Sequence, residues 1–126
     1  MEKLALVACG GALGAVARFL TVGWTARATG EAFWGTLLVN GIGSFAMGVI
    51  AILLVERFPE QDPRFAPFLM AGLLGGFTTF SAFSLDVVRL FEQDRLSMAA
   101  GYAVLSFVLS ILGLALGAWI CRILTT

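Results

Sequence analysis

One stretch, Gly75-Gly76-Phe77-Thr78-Thr79-Phe80-Ser81-Ala82-Phe83-Ser84, carries the densest chemistry in the chain. It offers hydroxyls and aromatic ring edges inside a run without charge from Phe65 to Leu85. A run of about 20 apolar residues is long enough to cross a bilayer as a helix. Such a helix must bond its backbone internally, because lipid supplies no partner. Paired glycines followed by paired threonines favour that poorly, and the backbone is expected to unwind from Gly75 to Thr78. Backbone broken at membrane depth is tolerated where it lines a protein cavity or an ion site. The stretch therefore marks a place where something polar crosses the membrane.

Other polar residues fall into register with it. Asn40 and Ser44 share a helix face with Gly48, and Tyr102, Ser106 and Ser110 recur at the same four-residue step. Each set places its polar groups along one side of a helix. The competing reading is that a serine in a membrane helix bonds back to the i−4 carbonyl or across to a neighbour. None of these deep groups titrates near neutral pH. A proton-coupled exporter needs an embedded carboxylate or a similar relay. Glu31, Glu56, Glu60, Asp62, Glu92 and Asp94 all fall in loops or at span ends. Asp86 lies deeper, three residues before Arg89, where an i,i+3 ion pair is the simplest expectation. Arg18, well inside the first span, either snorkels to the interface or lends positive potential to an anion vestibule. Phe77, Phe80 and Phe83 recur every three residues. Their rings either pack or face lipid, or turn partly positive edges toward an anion.

These residues must be positioned by membrane helices. The chain has 126 residues, of which 60% are hydrophobic and 13% charged; a soluble domain carries about 25% charged residues. Gaps between charges predict four spans. The first runs from near Leu4 to Ala26, the second from Ala32 to Val55, the third from Phe65 to Leu85 and on to Phe91, and the fourth from Leu96 to Cys121. A turn near Gly30, a proline-bearing loop from Arg57 to Arg64 and a charged turn from Glu92 to Arg95 join them, so residues 1–126 read as one four-helix unit. Leu6-Val7-Ala8-Cys9 resembles a lipoprotein processing site, but the apolar run before it is short and continues past it. A span is expected there, not a cleaved leader.

The zero formal charge gives no reason to expect nucleic acid, and the absence of histidine removes the usual zinc ligand and proton switch. Cys9 and Cys121 read as small buried hydrophobes. No nucleophile–base pair or metal cluster suggests an enzyme. Lys3, Arg57, Arg64 and Arg122 fall on one side of the four spans, and Arg27, Arg89 and Arg95 on the other, joined by Arg18 if it snorkels there. Orientation normally follows an excess of Lys and Arg on the cytoplasmic side. With no excess, either other determinants fix one orientation, or the chain inserts both ways and pairs antiparallel. Small residues at helix-packing spacing, Gly10 and Gly14, Ser44 and Gly48, Gly72 and Gly76, Gly113 and Gly117, predict close helix contacts within or between copies.

The chain resembles the Fluc family of small dual-topology fluoride channels along its whole length. The resemblance rests on Gly10-Gly11-Ala12-Leu13-Gly14-Ala15-Val16-Ala17-Arg18, on Gly35-Thr36-Leu37-Leu38-Val39-Asn40, on Gly75 through Phe83, and on Tyr102, Ser106 and Ser110. The third-span motif is the specific one. Ala82 departs from it, standing where a threonine or serine is common. The resemblance implies an all-α antiparallel homodimer in the bacterial inner membrane, with the third helix broken near the midplane. It implies two passive fluoride pathways that lower the toxicity of fluoride in the cytoplasm. Phe80 and Phe83 would supply ring edges, Asn40 an amide donor, and Tyr102, Ser106 and Ser110 the hydroxyl track, with Thr79, Ser81 and Arg18 alongside. It also implies a structural sodium ion (Na+) at the dimer centre, held by backbone carbonyls at positions matched by Gly75 and Thr78. A dual-topology multidrug exporter would share the size and charge balance, yet should carry a glutamate deep in the first span, and none stands there. A non-transporting assembly subunit would not need the broken third span.

Overall fold

The computed structural model describes residues 1–60 and 62–125. Four helices among them are long and apolar enough to cross a membrane: Glu2–Thr29, Phe33–Arg57, Pro67–Glu92 and Leu96–Leu124. The charge gaps thus located every span to within a few residues. The first helix, α1 (Glu2–Thr29), stops at Gly30, which takes a left-handed φ of 80° and returns its N–H to the Ala26 carbonyl at 2.8 Å. Only glycine adopts that conformation without strain. The second span begins as α2 (Phe33–Ala51) and widens into π-helical turns over Ile52–Arg57.

The third span is composite. A π-helical segment, Pro67–Leu74, runs into a short α3 (Gly75–Phe77); Thr78 and Thr79 are then extended, and α4 (Phe80–Glu92) follows. Segments of 8 and 3 residues precede the break and 13 follow it, so the interruption falls near mid-span. The sequence predicts unwinding from Gly75 to Thr78, but the glycines stay helical and the break is Thr78–Thr79. The reason is packing. A Cβ at Gly76 would lie 2.5 Å from the Gly11 carbonyl oxygen, and one at Gly72 would lie 2.9 Å from that of Val7. These glycines let the third span press against α1. After a turn in which Asp94 takes a φ of 58°, α5 (Leu96–Leu124) completes the bundle.

The helices alternate up and down. Glu2, Asp62 and Arg64 cluster at one end, with Arg64 3.1 Å from Glu2, and the Arg122–Glu56 pair belongs to the same end. Arg95 meets Glu31 at 2.6 Å at the other. Helix α2 runs parallel to α5, so close that a Cβ at Gly48 would lie 2.9 Å from the Ala118 nitrogen. Phe33, Phe83, Leu90, Ala99 and Tyr102 form the buried cluster between α2, α4 and α5. Large apolar side chains such as Phe19, Leu112 and Trp119 lie on the outside, as lipid-facing residues should. Both cysteines are free thiols. Cys121 is buried as the sequence suggests, but Cys9 is exposed on α1, on the side away from the buried Gly10 and Gly14.

Candidate functional site

The break is fixed from a distance. Asn40, on α2, grips the peptide groups of Thr79 with both ends of its amide. Its Nδ2 donates to the Thr79 carbonyl at 2.9 Å, and the Thr79 N–H donates to its Oδ1 at 2.7 Å. One amide hydrogen of Asn40 remains for another acceptor. The Thr79 hydroxyl caps the following helix by accepting the Ala82 N–H at 3.1 Å, which is the N-cap role that threonine performs well. An unbroken helix would send the Thr79 and Ala82 N–H groups to the carbonyls of Gly75 and Thr78. Both donors are spent elsewhere, so these two carbonyls lose their helical partners.

Beside the break lies a groove of about 260 Å³ between α2, α4 and α5. Asn40 and Ser44 line it from α2, Thr78, Thr79, Phe80 and Phe83 from the third span, and Ser106, Phe107 and Ser110 from α5. The two i+4 tracks therefore face each other across one space. Ser106 is buried, and its hydroxyl makes no hydrogen bond of ordinary geometry among the described residues, although like Thr36 it stands beside the Tyr102 hydroxyl. The back-bonding alternative fails for this serine, although Ser84, outside the groove, does bond back to Phe80 at 2.9 Å. A buried hydroxyl without a well-formed hydrogen bond is costly, and a ligand that accepts a hydrogen bond from it removes the cost.

The rings belong to the same wall. Phe80 and Phe83 pack with centroids 5.3 Å apart, and Phe107 stands edge-on to Phe83 at 5.6 Å and 81°. The third-span spacing pointed to Phe77, Phe80 and Phe83, whereas the structure joins Phe107 to the last two and leaves Phe77 outside the groove lining. Phe107 follows Ser106 directly, and nothing in its local sequence distinguished it from a lipid-facing residue.

Several expected residues sit outside the groove. Tyr102 packs against Phe83 with tilted rings 5.5 Å apart and donates its hydroxyl hydrogen to Asp86 at 3.2 Å. Thr36, almost wholly buried one turn before Asn40, stands beside that hydroxyl. Asp86 thus does not form the expected ion pair with Arg89; its carboxylate turns inward while Arg89 stays exposed. The signal was available, since Phe83, Asp86 and Leu90 share a buried helix face. Ser81 is exposed, its hydroxyl 3.3 Å from that of Thr79. Arg18 is half-buried on α1, which contributes nothing to the groove lining, and Gly75 also stands apart from it.

The inventory is a set of neutral donors and ring edges, without a carboxylate among the described residues of the lining. Together with the interrupted third span, it defines a small four-helix multi-pass membrane protein with a donor-lined groove at membrane depth. Residues 5–118 match the family model described as CrcB-like protein, Camphor Resistance (CrcB), and the chain belongs to that family. It is 52% identical to the fluoride-specific ion channel FluC of Cereibacter sphaeroides, over 93% of this chain and 92% of the relative. It is 50% identical to the fluoride-specific ion channel FluC of Chelativorans sp., over 97% and 98%. The protein of that name from Agrobacterium fabrum is 48% identical, over 93% and 97%.

Proposed function

We propose that the protein is a passive, fluoride-selective channel that works as an antiparallel homodimer and exports fluoride from the cytoplasm. The observation that carries this reading is the groove, which concentrates hydrogen-bond donors and aromatic edges, the buried Ser106 hydroxyl among them. The names of the relatives support the choice of ion. Fluoride is small and strongly hydrated, so a dry apolar hole rejects it, and hydroxyl and amide donors must replace its water. In this reading the free amide hydrogen of Asn40 and the hydroxyls of Ser106 and Ser110 take turns as donors. Thr79 and Ser81 hold the break, and Phe80 and Phe83 present their edges. Tyr102, oriented by Asp86, extends the track toward the Glu31–Arg95 end, and Arg18 contributes positive potential.

The Gly75 and Thr78 carbonyls, freed of helical partners, suit a buried sodium ion when two antiparallel breaks meet. Neutral oxygens fit a hard monovalent cation, and its charge offsets the cost of a nearby anion. Undissociated hydrogen fluoride crosses membranes while the anion does not, so a passive pore lets the negative-inside potential drive fluoride out. No coupling group is required.

Proteoliposomes holding the purified protein are expected to release fluoride much faster than chloride, with no proton or sodium gradient. Equal release of both halides would refute selectivity. Tags on the amino terminus should be reachable from both membrane sides in comparable amounts, and a single orientation would refute the antiparallel pair. Long dialysis into a sodium-free large-cation buffer should slow efflux, and sodium should restore it slowly. Immediate dependence on a sodium gradient would mean coupled transport instead.

A further inference from the structure

The groove changes character along its length. Its donors come from Asn40, Ser44, Thr79, Ser106 and Ser110, but its end toward the Glu56–Arg122 pair is lined by Met47 and Leu114. On α5 the four-residue step that places Tyr102, Ser106 and Ser110 on one face reaches Leu114 next. Beyond Ser110 that helix offers no hydroxyl, amide or charge until Arg122, about 18 Å further at 1.5 Å per residue. The second span behaves alike, with nothing of that kind between Ser44 and Glu56. Glu56 and Arg122 are paired, so the two apolar stretches run side by side and start at the same level. The two helices are in close backbone contact there. A Cβ at Gly48 would collide with the Leu114 carbonyl, so Met47 and Leu114 project from two backbones that touch.

We propose that Met47 and Leu114 form an apolar sill that sets the rate at which the anion passes between the donor track and the Glu56–Arg122 end. The proposal rests on the fluoride-channel reading of the same groove. An anion leaving Ser110 gives up the last hydroxyl of the track before the Glu56–Arg122 end, and a dewetted apolar constriction is a barrier of that kind. Chemistry at the sill therefore governs rate. The donors behind it, which the sill leaves in place, govern which halide is accepted.

Threonine and valine have nearly the same shape and differ by one hydroxyl, so a matched pair separates polarity from volume. Fluoride efflux is measured from proteoliposomes containing Leu114→Thr or Leu114→Val, with chloride efflux alongside. The threonine variant is expected to empty about two- to tenfold faster than the valine variant, the rate equivalent of one net hydrogen bond, and both should still exclude chloride. Met47→Thr and Met47→Val give an independent pair on the facing helix, with the same order expected. Equal rates within every pair that reconstitutes as folded protein would overturn the sill. Parent protein that releases no fluoride would overturn the channel reading and the sill with it. A parent that passes fluoride, with equal rates in the pairs, removes the sill alone.

Discussion

Up to Phe77 the third span lies against α1 with glycine on glycine, whereas from Phe80 onward it meets α5 through rings. In the first half, Gly10 and Gly14 face Gly72 and Leu73, and a Cβ at Gly10 would stand 2.5 Å from the Phe68 carbonyl oxygen. Gly10, Gly14, Gly72 and Gly76 cannot be enlarged without meeting backbone, and no side chain there lines the groove before Thr78. In the second half, Phe83 and Leu90 are buried against Tyr102 and Ala99 by ordinary side-chain packing, and the same surface supplies the groove. Close backbone contact fixes one half as a rigid post. The other half, joined to it through two extended residues, carries the groups that a ligand would touch. The difference shows why the break falls after the glycines: the post needs them helical.

The largest effect should come from the post. Gly14→Val places side-chain carbon on the Leu73 carbonyl and about where the Phe77 nitrogen stands, 2.8 Å from the new Cβ. Backbones must separate, at a cost of at least about 1–3 kcal/mol. A clear drop in the thermal midpoint in detergent is expected. Gly11→Ala, whose Cβ meets nothing within 4 Å, should melt like the parent. Equal melting of both variants would mean that backbone contact does not hold this half.

The link between the halves comes next. Asn40→Ala strips both partners from the Thr79 peptide groups. Each buried group left unpaired costs about 1–3 kcal/mol, and fluoride efflux should fall with stability. Asn40→Asp retains an acceptor for the Thr79 N–H, but when ionised it sets a buried carboxylate against the Thr79 carbonyl, so it should be no more stable than Asn40→Ala, and efflux stays low. Recovery of efflux in Asn40→Asp would show that Asn40 only braces the break.

The rings give a smaller change in stability and a selective one in flux. Phe80 is 68% exposed and Phe83 only 7%. Replacing Phe83 with Ile should cost about 1.5 kcal/mol or less if the core repacks, and Phe80→Ile should leave this chain's own core unchanged. Both should lower fluoride efflux while the protein elutes unchanged on size exclusion, because isoleucine has no ring edge. Unaltered efflux in both would return the rings to packing alone.

The loop should matter least. Asp62 accepts bonds from the Arg64 backbone and guanidinium, and that arginine holds its carboxyl at about 2, below the ordinary aspartate value. A depressed value means that the contact is fully present above the unfolded pKa and is lost as pH falls through about 2. Melting measured between pH 5 and 7 should show no step from this group. Asp62→Asn should leave the midpoint nearly unchanged, since the pair is open to solvent.

The sequence alone determined the features that depend on near neighbours in the chain. Charge spacing set the four spans, because a charge in hydrocarbon is costly wherever the helix packs. Gly30 ended α1, since its backbone conformation needs no partner. The four-residue step put Asn40 with Ser44, and Ser106 with Ser110, on common faces, because helical periodicity is local. The need for a break between Gly75 and Ser84 was equally legible. Tertiary structure decided where it falls, since an amide 39 residues away claims the Thr79 peptide groups and α1 demands the glycines as contacts. It also brought Phe107 to the rings, gave Asp86 to Tyr102, and left Arg18 and Phe77 outside the groove. Those outcomes depend on which helix lies opposite and how closely it approaches, and no spacing within a single helix encodes either.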